Sequence, residues 1–327
     1  MKGYDGEVSG PGRFSRTELR AAMAAPRRDG VLASRYATVD GRRVHYRLVV
    51  GAPAGPVPVV CLHGLAVSHR YLAPLARALG VRRPVYVPDL PGFGLSGKPA
   101  AVLDPVELAA HVARWWRALE LPAACVLGHS FGAEVAAALA ADHPEVVTAL
   151  VLAAPTSDPA ARSRRGQVWR WLRDLPREAP RQGVVLLRDV RDAGPRRVWA
   201  TLSHSVNNPI EEAVSRIRQP TLVLGGARDP VAPARWRAEV ARLVPDAELV
   251  TVARAAHNVA TTAAAQVADA VDTFLATRLA RACQRCAAGR GSAGSQPSRQ
   301  SSDSRCEPAC GPISSMPPST THDAPVT

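Results

Sequence analysis

Lysine is nearly absent from this chain. Lys2 and Lys98 are the only two, and arginine supplies the rest of the 41 basic residues behind a net charge of +13. Aromatic residues make up 5% of the sequence, and no Lys/Arg-rich block runs through it. That combination lacks the footprint of a nucleic-acid-binding surface, so no nucleic-acid partner is expected. The arginine bias, beside abundant alanine, reads as composition rather than as a binding patch. Uninterrupted apolar runs of about 18 residues are missing too, which excludes a membrane-spanning helix and argues against stable membrane insertion. Residues 1–29 are polar and lack the apolar core of a secretory signal, so a cytoplasmic location is expected.

Cysteine is sparse, with six in all. Cys61 and Cys125 sit in apolar runs and read as small buried residues. Cys283, Cys286, Cys306 and Cys310 lie near the C-terminus at a spacing that loosely resembles a zinc site. The Gly, Ser, Gln and Arg residues between them have nothing to pack around an ion. The expectation is therefore no metal and no cofactor.

What the chain does have is an alternation of short apolar runs and helical patterns. Its 327 residues, 46% hydrophobic, can bury a full core. Strands are expected at 35–39 and 43–50 around the turn Asp40-Gly41, then at 57–62, 84–88, 123–127, 149–153, 221–224 and 248–252. Helices are expected at 71–79, 105–119 (with Asp104 as N-cap and Pro105 in the first position), 131–142, 232–243 and 261–279. This order implies an α/β fold: a mostly parallel eight-stranded sheet with helices on both faces and an antiparallel edge. Residues 1–34 read as a partly disordered leader. Residues 35–154 and 219–281 form the core. Residues 282–327, rich in Ser, Pro and Gly, read as a disordered tail.

Three motifs carry chemistry. Gly128-His129-Ser130-Phe131-Gly132 follows an expected strand and opens an expected helix. A nucleophile elbow needs that setting, because the sharp turn exposes the serine Oγ at a positive helix end. His63-Gly64-Leu65 follows the third strand. Acyl transfer needs two backbone N–H donors for an oxyanion, and the amides of Leu65 and Phe131 are placed to supply them. His63 and His129 read as structural hydrogen-bonders rather than bases. The third motif is the loop Asp89-Leu90-Pro91-Gly92-Phe93-Gly94-Leu95-Ser96.

With these motifs in this order, the chain resembles the α/β-hydrolase superfamily, in its serine-nucleophile, cap-bearing branch, over roughly residues 35–278. The resemblance implies a Ser-His-Asp triad. Asp229, in Gly225-Gly226-Ala227-Arg228-Asp229-Pro230, matches the family's acid position. His257, in Ala255-Ala256-His257-Asn258, matches its base. Ala256 departs from the glycine that commonly precedes the histidine. Asp158 lies near the alternative acid position that some members use, and Asp229 is preferred. The resemblance implies a hydrolase that cleaves an ester or related acyl bond through an acyl-serine intermediate. Carbon–carbon hydrolases, thioesterases, acyltransferases and non-catalytic ligand-binding members share the motifs, so they stay open.

Residues 155–218 fall where the family places its cap, and they read as several short helices. They hold 13 basic and seven acidic residues. Val168, Trp171, Leu172 and Leu175 should form one apolar face, with Arg170, Arg173 and Arg177 opposite. Readings of this charge include a cap that meets an anionic substrate, contact with an anionic membrane, and a solvated arginine face. The expected partner is a small molecule, anionic or apolar-acyl in character. Oligomeric state is not legible in the sequence.

Overall fold

Eight strands form one sheet in the order β1-β2-β4-β3-β5-β6-β7-β8. They are β1 Val31–Val39, β2 Arg42–Val50, β3 Val59–Leu62, β4 Val85–Pro88, β5 Ala124–His129, β6 Val147–Ala153, β7 Thr221–Gly226 and β8 Ala247–Val252. The computed structural model describes residues 31–50, 52 and 57–291. The β1–β2 hairpin turns on Asp40 (φ 51°) and Gly41 (φ 72°), both left-handed as a two-residue turn of this type requires. β2 joins β4 antiparallel, and every later pairing is parallel. Strands β3, β4, β5 and β7 are buried along their whole length, as parallel strands covered on both faces must be.

The connecting helices are α1 His69–Leu79, α2 Pro105–Ala118 and α3 Phe131–Asp142. The chain steps one way along the sheet from β3 to β4 and the other way thereafter. Right-handed crossovers therefore place α1 on one face and α2 and α3 on the opposite one. Asp104 caps α2 as expected: its carboxylate accepts from the Glu107 amide at 2.8 Å, and Glu107 accepts from the Asp104 amide at 2.9 Å.

Between β6 and β7 the chain forms α4 Arg164–Asp174, α5 Pro180–Ala193, α6 Pro195–Val206 and the short α7 Ile210–Val214. After β7 come α8 Ala234–Leu243, then β8, α9 Val259–Thr262 and α10 Ala264–Gly291. The sheet and the insertion belong to one compact unit that ends at Leu275; beyond it the described residues are the continuation of α10.

Three expectations need correction. Residues 31–34 belong to β1 rather than to a leader, because β2 extends to Val50 and offers them partners up to Val31↔Val50. Residues 1–30 lie outside the described chain. Helix α10 runs to Gly291, past the tail boundary expected at residue 282. Its Ala- and Arg-rich sequence consists of strong helix formers, so the backbone need not stop there. Cys283 and Cys286 fall on it, while Cys306 and Cys310 lie outside the described residues. The expected apolar face of α4 is split rather than uniform, with Val168 and Trp171 packed against the core. Gln167 and Asp174 are buried and Trp171 half-buried, while Leu172 and Leu175 face outward, and Arg170 pairs with buried Asp158 at 2.7 Å. The inner surface of this helix is mixed, since buried Gln167 and Asp174 stand beside Val168 and Trp171.

Cys61 and Cys125 are free and buried in β3 and β5. Burial raises both thiols, Cys125 to about 12, which leaves them unreactive.

Candidate active site

The carboxyl ends of β3, β5, β7 and β8 converge, and the loops that follow them build the site. At the end of β5, Ser130 takes φ 57° and ψ −123°. A serine in that region stores about 1–3 kcal/mol of backbone strain. The turn is possible because glycines flank it. A Cβ on Gly128 would lie 2.1 Å from the Gly132 carbonyl oxygen, and one on Gly132 would lie 2.4 Å from that of Leu62. The helix thus starts directly against two strands, with the Ser130 side chain at its positive end.

The His257 Nε2 lies 2.9 Å from Ser130 Oγ, and its Nδ1 lies 3.0 Å from Asp229 Oδ2. All three side chains are buried. The other oxygen of Asp229 accepts from the amides of Val231 (2.7 Å) and Ala232 (2.9 Å), which fixes the carboxylate and leaves Oδ2 for the imidazole. Since Nδ1 must donate to that carboxylate, Nε2 presents its lone pair to the serine hydroxyl. Burial opposes protonation of His257, but the Asp229 charge outweighs it and the imidazole's pKa is raised. Burial likewise opposes ionisation of Asp229, and the imidazole with the two amides overcomes it, so that carboxyl sits below its ordinary range.

Asp158 is placed elsewhere. Its carboxylate bridges Arg170 and Arg235 at 2.7 and 2.5 Å and accepts from the Ala160 amide. In the histidine loop the left-handed residue is Arg254 (φ 62°), so the position held by Ala256 does not require glycine.

The β3 loop reaches the nucleophile. A Cβ on Gly64 would lie 3.2 Å from Ser130 Cβ and 3.6 Å from its Oγ, which sets the Leu65 backbone beside the serine. The Phe131 amide, in the first helical turn, has no intrahelical acceptor. His63 accepts from the Leu90 amide at 3.0 Å and donates Nδ1–H to the Gly64 carbonyl at 2.9 Å, so it braces this loop from beneath. His129 donates Nε2–H to the His257 carbonyl at 3.0 Å, and burial lowers its pKa to about 3. Both histidines hold loops in place.

One buried group among the described residues has metal-ligand character: His45, His69 and Asp89. Its donors and acceptors are already matched. Both imidazoles donate Nδ1–H to Asp89 at 2.8 Å, and the carboxylate also accepts from the amides of His69 and Leu95. The Asp89 carboxyl stays well below its usual range, because these bonds outweigh the effect of burial. The group clasps the Asp89–Ser96 loop to β2 and α1.

Sequence reasoning missed a set of contacts from the helical insertion. Asp174 accepts from the His257 amide at 3.3 Å, and Glu178 accepts from the Asn258 amide at 2.8 Å. Tyr71 donates to the Asn258 side chain at 2.8 Å. Thus two acidic residues of the insertion hold the backbone that carries His257. Behind the serine, buried Glu134 on α3 accepts from Thr156, Ser205 and Asn208, which joins the nucleophile helix to both ends of the insertion. No spacing rule announces these partners. Asp174 sits 83 residues from His257 in the sequence, on a helix face that looks solvated.

Burial pushes the Asp174 carboxyl up to about 7, against the pull of His257. An unfolded aspartate titrates near 3.9. Between about pH 4 and 7 the folded chain therefore holds a proton that the unfolded chain does not, and stability falls as pH rises through that window. Asp174→Asn keeps an acceptor for the His257 amide and removes this penalty. The variant should melt above wild type at pH 8, with the gap closing at pH 4. Parallel melting curves at all pH values would show that Asp174 carries no such proton.

Residues 57–191 match the family model described as alpha/beta hydrolase fold, and residues 195–284 match that described as TAP-like protein. The chain is 30% identical to the magnesium-chelatase 30 kDa subunit of Rhodobacter capsulatus, over 61% of this chain and 80% of that one. It is 28% identical to a pimeloyl-(acyl-carrier protein) methyl ester esterase of Xanthomonas oryzae pv. oryzae, over 68% of this chain and 96% of the esterase. A shorter match, 37% identical over 39% of this chain, spans only 33% of an acetyltransferase component of the acetoin cleaving system from Cupriavidus necator. Among solved structures, a hydrolase from Pseudomonas aeruginosa superposes with a TM-score of 0.63 at 25% identity, covering 75% of this chain and 98% of that one.

Proposed function

We propose, from the premise that this chain belongs to the α/β-hydrolase superfamily and is an α/β-fold hydrolase, that it cleaves a carboxylic ester or related acyl bond through an acyl-Ser130 intermediate. One observation carries the reading. Ser130, His257 and Asp229 form an unbroken hydrogen-bonded line, with the imidazole held in the tautomer that accepts the serine proton. The likeness to a methyl ester esterase favours an ester among the acyl bonds.

In this reading Ser130 Oγ adds to the substrate carbonyl carbon while its proton passes to His257 Nε2. The amides of Leu65 and Phe131 receive the oxyanion. Asp229 stabilises the imidazolium without taking its proton. Collapse breaks the acyl–oxygen bond, and the leaving alcohol takes the proton from Nε2. Water then adds to the acyl carbon and gives a proton to Nε2. The second collapse returns that proton to Ser130 and releases the acid. The helical insertion, residues 155–218, acts as the cap that bounds the pocket for a small-molecule substrate.

The reading is tested with p-nitrophenyl esters of increasing acyl length. A burst of nitrophenol, and an acyl or fluorophosphonate adduct mapped by mass spectrometry to the peptide bearing Ser130, are expected. A folded chain that turns over no ester and takes no label at Ser130 would overturn it. The role of the acid is separable. Asp229→Asn should lower kcat by about 10⁴-fold, because the amide permits the wrong tautomer, while Asp158→Asn should leave kcat within about threefold of wild type. Equal losses in the two variants would remove Asp229 from the triad.

A further inference from the structure

The helical insertion is unusual for what it turns outward. Among the described residues, ten large hydrophobic side chains are exposed, and seven of them lie on α4, α5, α6 and the turn after α4. Trp169, Leu172 and Leu175 follow one another at three-residue intervals, as do Val184 and Leu187, so each set forms a stripe. Trp199 on α6 is exposed as well, and the guanidinium of Arg164 on α4 lies over its ring at 5.2 Å. Exposed apolar groups gathered in this way mark an interaction surface rather than scattered chance exposure.

Charge is sorted across the same helices. Three acidic residues turn inward, Asp174 and Glu178 to the histidine loop and Asp189 to Ser68 and Arg70, while half-buried Asp192 pairs with Arg70 and lies 3.9 Å from Arg191. The exposed charged side chains described on α4, α5 and α6 are all arginines, Arg173, Arg188 and Arg191 among them. The insertion as a whole carries a net charge of +6, from 13 basic and seven acidic residues.

We propose that this outer face docks on an anionic phospholipid surface. Tryptophan and leucine at such a boundary sit at headgroup depth, and guanidinium groups pair with lipid phosphates. Among the described residues, Asp192 is the one acidic side chain at the edge of these arginines, 25% exposed and paired with Arg70, so one sign dominates the face; that offers little alternating pattern to fix the register of a protein partner, whereas a fluid bilayer requires none. The contact is peripheral, since no helix among the described residues is long and apolar enough to cross a membrane. It is also independent of the chemistry at Ser130.

Sedimentation with vesicles tests this on the full-length chain. Vesicles of phosphatidylglycerol and phosphatidylcholine in equal parts should capture the protein, with affinity at least about tenfold above that for phosphatidylcholine alone. Ser130→Ala should bind as wild type does, so failure of the acyl-enzyme reading would leave this result standing. The double variant Arg188→Gln/Arg191→Gln should lose about fivefold per arginine. Trp169→Ser/Leu187→Ser should lose at least about tenfold through removal of apolar area. Both double variants should keep wild-type melting temperatures and soluble-ester turnover. Three results would overturn the proposal: no capture even at low salt; capture that the Trp169/Leu187 variant retains, which would assign it to the charge of the chain as a whole; or a dimer in solution that this variant dissolves, which would give the face to a second copy.

Discussion

Ser130→Ala should lower kcat for any turned-over ester by at least about 10⁴-fold while leaving the fold intact. In the proposed mechanism Ser130 and His257 work as a unit, so removal of Oγ abolishes both attack and proton transfer. What survives is the pull of the oxyanion amides and substrate binding, which in serine hydrolases leaves a residual rate above that of water. The substitution is small, and alanine keeps the backbone at this turn. Circular dichroism and the melting temperature should match wild type, and KM should change little if Ser130 makes no ground-state contact. A loss below tenfold, in protein shown to be free of wild-type contamination, would remove Ser130 from the chemistry.

Gly132→Ala should be nearly as costly, by a different route. The added Cβ would lie 2.4 Å from the Leu62 carbonyl oxygen and 2.6 Å from that of His63. Both are backbone atoms, so no side chain can swing away. Either α3 retreats from β3 or the β3 loop moves, and each motion separates the serine from the Leu65 amide. Overpacking of this kind costs about 1–3 kcal/mol or more. We expect a melting temperature several degrees lower and a fall in kcat/KM of at least about 100-fold, since a shift near 1 Å is enough to spoil alignment. Wild-type stability and activity together would show that the helix start is looser than its geometry implies.

The parts that are legible in the sequence are those where local chemistry and long-range packing agree. Eight strands can be read because buried parallel strands are short apolar runs bounded by turns, and the Asp40-Gly41 hairpin announces itself through its residues. Ser130 is readable because glycines at 128 and 132 sit at a strand–helix junction, where a side chain would collide with backbone. Asp229 and His257, which the structure brings into line with it, are readable only through their order along the chain. Periodicity failed on α4 because it reveals that a helix has two faces without saying which one meets the core. There Val168 and Trp171 pack against the core beside Asp174, which meets the histidine loop, while Leu172 and Leu175 turn out. Asp174 and Glu178 escaped notice for the same reason. An acidic residue on an amphipathic helix looks solvated until its distant partner is known.

The hold that Asp174 and Glu178 keep on the backbone of His257 and Asn258 bears on how such an enzyme can change over evolution. Caps in this fold are commonly treated as exchangeable modules that set specificity over a fixed catalytic base. Under the proposed function, the segment that bounds the pocket also carries two struts of the loop that holds His257. A cap transplanted from a relative without acceptors at these two positions would arrive with a new pocket and a slackened histidine. Drift toward new substrates is thereby confined to changes that leave positions 174 and 178 able to accept a hydrogen bond.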